Sequence, residues 1–136
     1  MIVLDASLMI ARVLHERHAG INDDLYDLLD ASQIVVPCHW PIEFGNALRT
    51  NVRRGRITLS DVDAIIGFLS KFELTVGPPI EIAEIGALAQ LAIDHGLTAY
   101  DAAYVRLALE QGARLATVDR DMRAAAQRLD IPLLPA

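Results

Sequence analysis

Short runs of β-forming apolar residues recur along the chain, separated by longer stretches whose apolar residues keep helical spacing. This alternation restricts the possible folds more than any other feature. The runs are Ile2–Leu4, Ile34–Val36, Leu74–Val76, LATV at 115–118 and PLL at 132–134. Between them Ile21, Leu25, Leu28 and Leu29 fall at i, i+4, i+7 and i+8, and Val62, Ile65, Ile66 and Leu69 at i, i+3, i+4 and i+7. Both patterns predict helices with one apolar face. Strands alternating with helices build a parallel sheet, because each parallel strand needs a crossover to return the chain. The expected fold is α/β: a three-layer α/β/α domain around a parallel sheet of about five strands. A chain of 136 residues, 53% of them hydrophobic, is the size of one such unit, so residues 1–136 are read as a single domain.

Local signals refine the helix ends. Ser60 with Asp63 has the spacing of a capping box, and Thr98 with Asp101 repeats it before AAYVRLALEQG, which Gly112 closes. Gly77-Pro78-Pro79 is a stiff turn expected to lead into a helix over 80–94. No apolar run reaches the roughly 18 residues of a membrane helix, and the first residues lack the basic flank of a signal peptide, so a cytoplasmic location is expected. The single cysteine, Cys38, has no internal disulfide partner and fits a small buried thiol.

In an open parallel α/β sheet, ligands bind beyond the carboxyl ends of the strands, where strand order reverses. Asp5 follows the first apolar run, and Asp119 follows the fourth, with Asp121 two residues on. If those strands are neighbours, both carboxylates face one crevice. Glu43 lies in the first turn of a helix among Ile42, Phe44, Ala47 and Leu48, and Asp101 starts another among Ala99, Tyr100, Ala102 and Ala103. Taken singly, Asp5, Asp101 and Asp119 read better as helix caps. Their joint placement on one rim is what caps alone do not require. Four carboxylates in a crevice repel one another unless protons or cations neutralise them. With no His or Cys at ligand spacing, the oxygens suit a hard divalent ion, Mg²⁺ or Mn²⁺, and through it the hydrolysis of a phosphate ester.

IVLDAS, PIEFGNAL, LTAYDAAYVRLA and LATVDRDM, in this order and over essentially the whole chain, resemble the PIN-domain ribonucleases, and among them the VapC-type toxins. The resemblance implies a Mg²⁺- or Mn²⁺-dependent endoribonuclease that inhibits translation and is held inactive by a VapB-type antitoxin. By position it assigns metal and catalytic roles to Asp5, Glu43, Asp101 and Asp119. It leaves Ser7, Asn46, Thr117 and Asp121 as supporting residues or extra ligands. Family members also dimerise, so a homodimer is expected, and their antitoxin tail packs in an apolar groove and sends a basic residue into the acidic pocket.

A net charge of −6 argues against a protein that binds RNA by a uniformly basic surface. The site carboxylates account for part of it. Arg49, Arg53 and Arg56, with Arg54 beside them, would make a basic stripe leading from Glu43 if the helix continues to Gly55, although a solvated helix face reads as well. The rivals are a haloacid-dehalogenase-like phosphatase, whose second aspartate is replaced here by Ser7, and a phosphoacceptor receiver domain. Both need a lysine on the rim, and the only lysine, Lys71, precedes a strand. A non-catalytic binding module is the third alternative. HERH at 15–18 reads as solvated helix, His39 and His95 as structural or exposed, and Trp40 with Phe44 as core.

Overall fold

The computed structural model describes residues 1–136. The five apolar runs form five short strands, β1 (Ile2–Leu4), β2 (Ile34–Val36), β3 (Leu74–Val76), β4 (Arg114–Ala116) and β5 (Leu133–Leu134), in one parallel sheet of order β3-β2-β1-β4-β5. Residues of β1 and β2 are buried on both faces, as continuous Ile, Val and Leu runs require when helices cover both sides. Strand order reverses at β1, which pairs with β2 on one side and β4 on the other; Val3 is in register with both Val35 and Leu115. The first and fourth strands are therefore neighbours, as the expected crevice requires.

Seven α-helices complete the layers: α1 (Ala6–Val13), α2 (Asp23–Asp30), α3 (Trp40–Arg53), α4 (Leu59–Leu69), α5 (Ile85–His95), α6 (Ala99–Gln111) and α7 (Arg120–Arg128). The core joins strand residues Ile2, Leu4, Ile34 and Leu115 to Leu8, Met9 and Leu29 from the helices. Trp40 and Phe44 are buried in it and stack at 4.9 Å between ring centres, so they are core residues. No helix is long and apolar enough to cross a membrane.

Several sequence-based boundaries move. The capping box of α4 is Thr58 with Asp61, two residues before the Ser60–Asp63 pair. With Thr58 as cap, the flanking residues Ile57 and Val62 both pack on the core in the manner of a hydrophobic staple, whereas the alternative would put the exposed Leu59 in the flanking place. The segment after Pro79 is not helical from residue 80: a 3-10 turn, Ile82–Glu84, intervenes because Glu84 caps the Glu81 amide. HERH is not helical either, since α1 stops at Val13 and His15 has φ +55°. Cys38 is half-buried rather than enclosed. α3 ends at Arg53, because Gly55 turns the chain with φ +70°. Lys71 lies between α4 and β3, at the rim opposite the strand carboxyl ends, so it cannot serve a phosphatase or receiver site.

Candidate active site

Asp5 leaves β1 at the strand-order reversal, and its amide still bonds the Ala116 carbonyl of β4 at 3.0 Å. It caps α1 through the Ser7 amide (3.1 Å), and it is also 96% buried, far more than capping needs. Its Oδ2 accepts from the hydroxyls of Ser7 (2.8 Å) and Thr117 (2.7 Å). Burial raises the Asp5 carboxyl above its ordinary value; those three bonds pull it back in part, and the Glu43 charge adds to the rise.

Thr117 follows β4 and is fully buried. Its hydroxyl donates to Asp5 and accepts from the Asp119 amide at 3.0 Å, so one side chain ties together the two residues that follow the neighbouring strands. Asp119 in turn caps α7 through the Met122 amide at 2.8 Å. Asp5 and Asp119 thus both cap helices, and Thr117 also links them to each other.

Glu43 stands in the first turn of α3, where Pro41 at the start of the helix needs no amide partner. Its Oε1 accepts from the Tyr104 hydroxyl at 3.2 Å. His39 Nε2 lies 2.9 Å from the same oxygen, but off the axis of a hydrogen bond, so this is a charge contact only when the imidazole is protonated.

Asp101 is in the first turn of α6. Thr98 accepts from its amide at 3.1 Å, but the return bond of a capping box is not made, so the carboxylate is not spent on the cap. Burial raises the Asp101 carboxyl, and the charges of Asp119, Asp5 and Glu43 raise it further against a small opposing effect of Thr98. All four acids therefore share one electrostatic environment. They converge without closing: no three acidic, His or Cys side chains are near enough to hold one ion as they stand. The donor set itself is oxygen only, which fits Mg²⁺ or Mn²⁺ and disfavours zinc or copper.

A family model of the PIN domain matches residues 2–128. The chain belongs to the PIN domain family. Two curated relatives come from Pyrobaculum aerophilum: Exonuclease VapC9 is 34% identical over 83 residues, 60% of this chain and 59% of the relative. Ribonuclease VapC3 is 38% identical over 82 residues, 59% of this chain and 61% of the relative. The matched stretch thus spans about three-fifths of those relatives' own length. The crystal structure of PAE2754 from the same organism superposes with a TM-score of 0.70 and 26% identity, covering 98% of this chain and 83% of that one.

In this PIN domain the remaining candidates divide. Ser7 and Thr117 touch Asp5. Asn46 and Asp121 are exposed, and neither makes a side-chain hydrogen bond; Asp121 sits in the first turn of α7, where a negative charge is favoured by the helix dipole. Arg49 and Arg53 are exposed on α3 and Arg54 caps it, but Arg56 lies beyond the Gly55 turn with its guanidinium 3.5 Å from Asn51. The basic stripe therefore has two helical members, not three. Sequence reasoning passed over Tyr104 and assigned His39 no part in the site. The one available signal was the spacing of Tyr104, three residues after Asp101 and thus on a neighbouring helix face.

Proposed function

We propose that this PIN domain is a VapC-type toxin, an endoribonuclease that hydrolyses RNA phosphodiester bonds at the cleft of Asp5, Glu43, Asp101 and Asp119 and so inhibits translation. The reading is carried by one observation: at the strand-order reversal Asp5 feels the charge of Glu43, and Asp101 the charges of Asp119, Asp5 and Glu43, so acids from four distant segments lie within electrostatic reach of one another. The names of the VapC relatives support the nuclease class. The four carboxylates would hold Mg²⁺ or Mn²⁺, which supplies charge neutralisation at the phosphate and an activated water. The protein's own part is to hold Asp5 and Asp119 together through Thr117 and to fix Glu43 from Tyr104.

Cleavage of total RNA by the purified protein with Mn²⁺, Mg²⁺ or EDTA tests the reading. Discrete internal cuts that need metal, on linear and circular RNA alike, are expected. Trimming from ends only would make the activity exonucleolytic, as the name of one relative has it. No cutting, with no rise in melting temperature on adding Mn²⁺, would leave a binding module, since a ligand that binds only the folded state must stabilise it.

Arg49 and Arg53 are the proposed track for the RNA backbone. Replacing both with glutamate is expected to raise KM several-fold, to flatten its salt dependence, and to leave kcat nearly unchanged. Equal loss in kcat would instead place these arginines at the reacting phosphate.

The proposal includes a homodimer and a VapB-type antitoxin. α5 and the turn before it expose Ile82, Ile85 and Ile93, apolar area that a second copy would cover. A separate groove between the end of α1, α2 and α4 has an apolar floor of Val13, Tyr26, Ile65 and Phe68 beside charged residues such as Arg12 and Asp61, and would take an amphipathic partner segment. Light scattering of the protein alone and of the co-expressed pair reads both expectations.

A further inference from the structure

Glu43 has a long side chain on a partly open rim, and its other oxygen, Oε2, makes no hydrogen bond to the protein. Something must keep it from swinging into solvent. Tyr104 is 99% buried on α6, one turn after Asp101, with its ring edge against His39 at 5.3 Å between ring centres. Its hydroxyl accepts from the Ala6 amide at 3.2 Å, and an amide can only donate, so the single phenol proton is left for Glu43 Oε1 at 3.2 Å. The two bonds span 98 and 61 residues of sequence. One hydroxyl thus joins the residue next to Asp5, the helix that carries Glu43 and the helix that carries Asp101.

We propose that Tyr104 is a positioning residue for the acidic cleft: its hydroxyl sets Glu43 against Asp5, leaving Glu43 Oε2 available to a divalent cation. The inference rests on the reading that the four acids bind such an ion. His39 contacts the same oxygen without hydrogen-bond geometry.

Tyr104→Phe removes the hydroxyl and keeps the ring. Mn²⁺ binding is measured by calorimetry without RNA, beside the Mn²⁺ dependence of cleavage. The variant is expected to bind Mn²⁺ about tenfold more weakly, the loss typical when a partner behind a metal ligand is removed. Its half-saturating Mn²⁺ concentration should rise equally, with much of the rate regained at saturation. In a Glu43→Gln background the same change should weaken Mn²⁺ binding little further, because the residue it positions is gone. If Tyr104→Phe does not fold, Tyr104→Met fills much of the space and also lacks the hydroxyl. A folded variant with wild-type Mn²⁺ affinity would overturn the proposal alone. Failure of the wild-type protein to bind Mn²⁺ would overturn the four-acid reading and the proposal with it.

Discussion

Asp101→Asn is expected to abolish RNA cleavage and, at the same time, to raise the melting temperature of the metal-free protein at neutral pH. The first effect follows from the removal of a proposed metal ligand, which should exceed the roughly 10–100-fold typical of outer partners. The second follows from electrostatics. Asp101 stands raised by burial and by Asp119, Asp5 and Glu43, so its ionised form opposes folding. The folded protein holds this proton more tightly than the unfolded chain does. Stability is therefore lost as pH rises from the ordinary carboxyl value of 3.8 through the raised one, and stays lost above it. Asparagine has no charge to bring, so the gain should be present at pH 7 and absent near pH 3. Thermal melts at the two pH values, with EDTA, read it directly. Asp5→Asn should also abolish cutting, with a smaller gain or a loss in stability, because both oxygens of Asp5 accept hydrogen bonds and an amide nitrogen would face a donor. Asp101→Asn protein that melts below wild type at pH 7 would count against the repulsion.

The contrast between these two aspartates marks what the sequence can disclose. Strands β1 to β3 coincide with their apolar runs, because three consecutive β-formers between turn signals already satisfy a short parallel strand, buried in β1 and β2 and at the more open sheet edge in β3. The four acids were legible for the same local reason: each directly follows a strand or opens a helix. Helix ends were less so. Thr58–Asp61 and Ser60–Asp63 are equal as patterns, and only the packing of Ile57 and Val62 on the core decides between them. Tyr104 and His39 stayed hidden because the spacing of Tyr104 from Asp101 does not by itself mark a site, and nothing around His39 in the sequence does. Their meaning depends on a glutamate 61 residues before Tyr104 reaching the same point in space. The basic stripe failed at a single backbone dihedral, the positive φ of Gly55, which turns Arg56 out of the helix.

Thr117 is where local legibility and tertiary function meet, and its replacement by valine carries the second large expectation. Valine has nearly the same shape, so the cost at this fully buried position should come from the lost hydroxyl rather than from lost volume. Two bonds disappear together: the buried Asp5 carboxylate loses a donor, and the Asp119 amide loses its acceptor. Asp5 keeps the Ser7 hydroxyl, but losing a hydrogen bond to a charged group costs about 1.5–3 kcal/mol and leaving the Asp119 amide unpaired about 1–3 kcal/mol, so a loss of about 2–4 kcal/mol is expected by chemical denaturation. The Thr117 bond is the strongest of those that lower the Asp5 carboxyl, and without it that carboxyl rises further. By linkage the deficit should be larger at pH 7, where Asp5 must ionise, than at pH 4. Thr117→Ser retains the hydroxyl and should lie between valine and wild type in stability, with metal binding close to wild type. A valine variant as stable as wild type at both pH values would mean that Thr117 does not couple Asp5 to Asp119, and the two carboxylates would then be held only by their separate helix caps.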